Sequence, residues 1–166
     1  PELLALGATA STSLTFDRVH IPAARIVTED LGSFCGAIRS TFLLLQTSFC
    51  VGVSGTAVRE SASCITGLGR QFADEHRALE DRYEDLRGRL YEYAADPAAV
   101  HPADLLRLRL DGSLVAVDAT RLESTLRGGA GYASAGATNR RFREAAFLPI
   151  QSPSEGQLRW ELSQYE

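Results

Sequence analysis

The segment Gly128-Gly129-Ala130-Gly131-Tyr132, with Arg140, Arg141 and Arg143 behind it, combines residue types suited to holding an anion. Closely spaced glycines remove the side chains that keep a ligand off the backbone, so main-chain N–H groups can touch it directly. Arginine adds a planar fork of donors that matches phosphate or carboxylate. A dinucleotide fingerprint would need Gly-x-Gly-x-x-Gly after a strand and before a helix. Here Ser134 stands where the third glycine belongs, and the segment follows a helical pattern. That excludes a Rossmann loop. Two readings stay open: a helix C-cap and turn, or an anion-contacting loop.

Three further places carry candidate chemistry. Glu155 completes Ser152-Pro153-Ser154-Glu155, the pattern of a capping box with proline at the first helical position. His76 lies in an apolar seam without a second His or Cys at ligand spacing, so it reads as a buried, hydrogen-bonded histidine. Cys35, Cys50 and Cys64 fit neither a metal site nor a disulfide framework. They read as reduced thiols of a cytoplasmic protein, and no metal is expected.

The elements that position these residues are mostly helical. Leu14, Phe16, Val19 and Ile21 give an imperfect period of two ended by Pro22, which predicts one strand. A lone strand leaves its ladder groups unpaired, so it must pair outside this chain or with another copy. Helix is predicted from about Ser33 to Leu68, where Phe34, Ile38, Phe42, Leu45, Phe49, Val53 and Thr56 recur at helical steps. Small residues in its second half suggest burial on several sides. A second helix, about Arg70 to Ala95, carries a seam of Phe72, His76, Leu79, Tyr83, Leu86, Leu90 and Tyr93. A third, about Pro102 to Arg127, runs straight into Gly128. Shorter helices follow over about Thr138 to Phe147 and Pro153 to Gln164. The fold class is therefore all-α, with the helices packed as antiparallel neighbours in a bundle after a short N-terminal β segment.

Composition bounds the function. The chain has 166 residues, 45% hydrophobic and 23% charged, with a net charge of −4, which argues against nucleic acid as a partner. All 17 basic residues are arginine, a bias that suggests a bacterial source. No methionine is present and the chain begins at Pro1, so we expect a piece of a longer polypeptide. No signal peptide is visible. The longest apolar run, Phe42 to Leu45, is too short to cross a bilayer, and no membrane span is expected.

Several motifs occur together in a fixed order. LTFDRVHIPAARIV is followed by CVGVSGTAVRESA, then RGGAGY, then RRFREAAF, then a last helix after Glu155-Gly156. In this order and spacing the chain resembles the C-terminal part of the acyl-CoA dehydrogenase family. The resemblance implies that residues 1–27 are the tail of a middle β-domain with its linker, and residues 28–166 a C-terminal helical domain, an antiparallel four-helix bundle. It implies FAD as cofactor and an acyl-CoA as substrate, with a carboxylate removing the α-proton while the β-hydride passes to the flavin. It assigns FAD contacts to Gly128, Gly129 and Gly131, with Tyr132 completing that motif, and to Arg70 and Phe72. It assigns the base to Glu155. It also implies a homo- or hetero-oligomer, dimer or tetramer, in which FAD is shared across an interface. The chain departs from the family pattern in three places. Gly69, not Arg70, stands three residues before Phe72; Thr125 replaces the usual glutamine before the paired glycines; and direct register places Ser152 at the base position.

Three functions compete. The first is an FAD-dependent acyl-CoA dehydrogenase of which this chain is one part, inactive by itself. The second is a flavin monooxygenase, an N-hydroxylase or a base-less partner subunit on the same fold. The third is a non-catalytic helical oligomerisation module.

Overall fold

A computed structural model describes residues 2–165; Pro1 and Glu166, the outer ends of the two expected domains, lie outside the described residues. The described chain is all-helical. Its helices are α1 (Leu31–Ala62), α2 (Ala73–Ala95), α3 (Pro102–Arg127), α4 (Gly129–Tyr132), α5 (Ala137–Phe147) and α6 (Glu155–Leu162). Short 3-10 turns occupy Gly7–Thr9, Ala23–Arg25 and Gly67–Phe72.

The local signals explain the ends. Asp30 caps α1 by accepting from the Ser33 N–H at 3.0 Å. α1 stops at Ala62, short of the expected Leu68, and Gly67 takes φ +51° within the following turn. His101 caps α3 through Nδ1, and Pro102 fills its first position. Gly128 ends α3 at φ 56° and ψ −133°, donating its N–H to the Thr125 carbonyl.

Cross-helix partners fix the directions. His76 Nε2 meets the Val58 carbonyl at 3.0 Å, so α2 runs against α1. Arg82–Asp118 and Arg89–Asp111 set α2 against α3. Glu60 pairs with Arg127 at 2.6 Å, so α1 and α3 run the same way. Thr138 and Arg141 reach Glu123 while Leu148 reaches Arg109, so α5 runs against α3. The main core joins Leu43, Leu44, Leu86, Leu90, Leu105, Leu106, Leu108 and Leu158. Burial of each such side chain stabilises the fold by about 1.5–3 kcal/mol.

Two expectations are corrected. No strand forms among the described residues, and no backbone hydrogen bond joins residues 11–21. Leu14 and Phe16 are 74% and 70% exposed. The alternation is present, but the described residues supply no edge for it to pair with. The second correction concerns α1, which is buried on one face only. That face consists largely of small or polar groups, including Thr47, Cys50, Ser54, Ala57 and Ser61, which admit α3 closely. The large residues Phe34, Ile38, Phe42, Leu45 and Phe49 lie on the other side, 37–58% exposed. Run length understates α1, whose most apolar window has a mean hydropathy of 1.4 and is 44% buried. By length and composition α1 could cross a membrane, but core helices of soluble proteins satisfy the same measure.

Candidate functional site

The glycine segment folds as a cap followed by the single turn α4. Gly128 needs its positive φ, which an L side chain rarely adopts. Gly131 is buried, and a Cβ there would lie 2.6 Å from the Ser124 carbonyl oxygen. Gly129 has neither constraint: its φ is ordinary and nothing lies within 4 Å of an added Cβ. Tyr132 is 86% exposed. The outer surface of the segment is therefore bare backbone beside open space.

The arginines behind the segment are largely committed within the chain. Arg141 donates Nε to Glu123 Oε2 at 2.9 Å and a second N–H to Oε1 of the same carboxylate. Glu123 is fully buried, and Thr138 donates to it at 2.7 Å. Hydrogen bonds to Glu123 hold the Arg141 guanidinium above its ordinary pKa. Arg143 donates to the Ser134 carbonyl and to Asn139 Oδ1, and Asn139 Nδ2 donates to the Gly131 and Tyr132 carbonyls. Arg140 faces Glu144 at 3.7 Å and is the most exposed of the three. Arg141 and Arg143 thus brace the loop from behind, correcting the expectation that they present donors to a ligand.

Arg70 and Phe72 lie in the 3-10 turn before α2, Arg70 exposed and Phe72 half-buried. A Cβ on the adjacent Gly69 would stand 3.4 Å from Leu126 Cδ2 near the end of α3. The turn and the glycine segment therefore share one end of the molecule.

Glu155 lies at the other end. It is the first residue of α6, but the cap is Ser154, which accepts the Gln157 N–H at 3.4 Å. Ser152 caps nothing, so the expected capping box does not form. The Glu155 carboxylate accepts instead from Arg159 Nε at 2.9 Å, one turn along the same helix. Ser152, exposed, edges a groove of about 230 Å³ with Cys35, Ile38, Arg39, Phe42 and Gln157; Glu155 does not line it. α1 measures the separation of the two ends. Gln46 bonds the Ser152 carbonyl and Glu60 bonds Arg127, and those two α1 positions are about 21 Å apart at 1.5 Å per residue.

His76 is buried against the Val58 carbonyl, as its seam position predicts. Cys35, Cys50 and Cys64 are free thiols, and burial pushes Cys50 up to about 11. Among the described residues no group of three or more His, Cys, Asp or Glu is placed to hold a metal ion.

Sequence reasoning missed Glu123, Gln46 and Arg109. Arg109 is fully buried and donates to the Leu148 carbonyl at 2.7 Å. Burial pulls its guanidinium below the ordinary arginine value. The signal was available, because positions 109 and 123 fall on the same helical face as Leu105, Gly112, Ala116 and Ala119. A charge on a core-facing register position demands a partner. No protein-family model matches the chain, and no curated protein matches it significantly.

Proposed function

We propose that this chain is the C-terminal helical portion of an FAD-dependent, acyl-CoA dehydrogenase-like oxidoreductase acting in the cytoplasm. In this reading α1, α2, α3 and α5 form an up-down-up-down four-helix bundle, residues 28–166 are its domain, and residues 1–27 belong to a preceding β-domain. The observation that carries it is uncovered apolar surface. The chain exposes 10614 Å² of total surface, roughly 2,600 Å² more than a compact monomer of its 18.0 kDa mass would show, and the exposed N-terminal residues contribute to that excess along with apolar side chains. Phe34, Ile38, Phe42, Leu45 and Phe49 make one continuous part of that surface. Contiguous apolar area of this kind is suited to cover by another domain or subunit.

The residues at the glycine end fit a flavin. Gly129 offers bare backbone beside open space, and exposed Arg70 shares that end. Gly128, Gly129, Gly131, Arg70 and Phe72 would hold the cofactor, which when bound accepts a hydride from the acyl β-carbon. At the other end, Glu155 would take the α-proton on a carboxylate oxygen once Arg159 releases it. The test is Glu155→Gln in the FAD-loaded protein. Substrate-dependent flavin bleaching should fall by orders of magnitude, and unchanged bleaching removes Glu155 as the base.

A second reading has its own support. Glu155 is held by Arg159 and stands outside the Ser152 groove. That favours a same-fold flavin monooxygenase or a base-less partner subunit. A third reading, a non-catalytic oligomerisation module, would use the same α1 face, and it gains if the chain associates but no flavin binds.

A further inference from the structure

Among the described residues Arg109 is the one fully buried arginine, and the only charged or thiol partner acting on it is Cys50, not a carboxylate. Its guanidinium donates to the Leu148 carbonyl at 2.7 Å and lies 3.8 Å from Cys50 Sγ. Leu148 is the C-cap of α5, so this carbonyl belongs to the negative end of a helix dipole, where a cation is favoured. From α1, buried Gln46 donates Nε2 to the Ser152 carbonyl at 2.7 Å. Between these anchors the connection closes on itself, with the Glu155 N–H donating to the Pro149 carbonyl at 2.8 Å. α6 starts at that residue.

We propose that Arg109 and Gln46 are positioning residues: through the Leu148 and Ser152 carbonyls they fix where α6 begins, and so where Glu155 stands. Two core side chains from different helices grip the two ends of one connection. The significance for proton abstraction rests on the preceding proposal; the positioning does not.

The experiment is amide hydrogen exchange on the full chain and its variants Arg109→Met, Arg109→Lys and Gln46→Leu. Positioning requires exchange at Glu155 and Leu158 to rise roughly tenfold or more in Arg109→Met and Gln46→Leu, with the α1 and α3 core amides unchanged. Arg109→Lys, which keeps a cation at the carbonyl, should restore most of the protection. Trp160, the single tryptophan, lies on α6, and its fluorescence anisotropy should fall in the same variants. Unchanged exchange over 149–158 in a folded variant overturns the proposal, as does a uniform rise across α1 and α3. If Arg109→Met does not fold, Gln46→Leu against Arg109→Lys decides by the same criteria. If the connection loosens while Glu155→Gln leaves flavin bleaching intact, the base reading fails and the positioning stands. If Glu155→Gln abolishes bleaching while the connection ignores these variants, only the positioning fails.

Discussion

Alanine at Gly128, Gly129 and Gly131 in turn separates a structural turn from a ligand loop, because the three positions differ in what they tolerate. At Gly131 the new methyl would lie 2.6 Å from a backbone oxygen that cannot swing aside. Overpacking of that kind costs about 1–3 kcal/mol. At Gly128 an alanine would keep φ 56° and ψ −133°, a strained conformation costing about 1–3 kcal/mol. At Gly129 the methyl meets nothing and φ is ordinary, so lost freedom in the unfolded chain stabilises by about 0.4–1 kcal/mol. For a chain of this size, each kcal/mol moves Tm by roughly 2–4 °C. Scanning calorimetry should therefore show Gly129→Ala about 1–4 °C above wild type, with Gly128→Ala and Gly131→Ala below it. FAD titration followed by flavin fluorescence supplies the second axis. If the backbone at Gly129 touches the cofactor, Gly129→Ala should weaken FAD by roughly tenfold or more while gaining stability, since ~1.4 kcal/mol is a factor of ten. A fall in Tm for Gly129→Ala would refute the geometry. A gain in Tm with unchanged FAD affinity would refute the contact and leave a plain helix cap.

Other consequences follow from burial and exposure. Glu123→Ala strips Arg141 of its partner in a nearly dry site and should cost about 3–5 kcal/mol by denaturant unfolding; a loss under 1 kcal/mol would show that the pair is hydrated. Cys50 has its folded pKa raised from 9.0 to about 11, so the folded state holds the proton more tightly than the unfolded chain. Its contribution is whole below pH 9, and stability should fall by roughly 2–3 kcal/mol between pH 9 and 11, a slope that Cys50→Ala should lack. Phe42→Ser, at a side chain 46% exposed, should leave the thermal transition within a few degrees of wild type but weaken association across the α1 face, measured by sedimentation velocity. A cooperative loss of fold in that variant would place Phe42 in the core instead.

Helix placement was legible wherever chemistry marked both ends. Pro102 at the first position and Gly128 beyond the last give α3 its exact bounds. The seam of α2 was equally plain, because His76, Leu79, Leu86 and Leu90 share one face and are buried. The period of α1 was readable but not its orientation. Periodicity shows that a face exists, while packing decides which face goes inward, and here the small residues won because they let α3 approach. The alternation over Leu14 to Ile21 was real too, yet a strand is a property of a pair and the described residues offer no partner edge. At the site, sequence located the glycine turn and the last helix. It could not show that Arg141 turns back to Glu123 or that Glu155 turns along α6 to Arg159, because those choices depend on what the next turn of helix presents.

The two candidate ends constrain each other. Gly128 follows Arg127, which α1 reaches at Glu60, and Ser152 is reached at Gln46, about 21 Å back along the same helix. Hydride and proton transfer from neighbouring carbons need their acceptors within contact distance of one substrate. A flavin whose reactive ring stands beside Glu155 would have to span much of α1 to place its phosphates on the glycine segment of the same chain. Two chains remove that difficulty: the glycine end of one would serve the cofactor whose ring lies near the Glu155 end of another. The dehydrogenase reading thus carries a requirement that the module reading lacks. Glu155→Gln mixed with Gly129→Ala should restore some fully competent sites in a hetero-oligomer, because each variant supplies the half the other lost. Complementation in such mixtures, absent from either variant alone, would tie both ends to one shared site; its absence in demonstrably mixed oligomers would separate them.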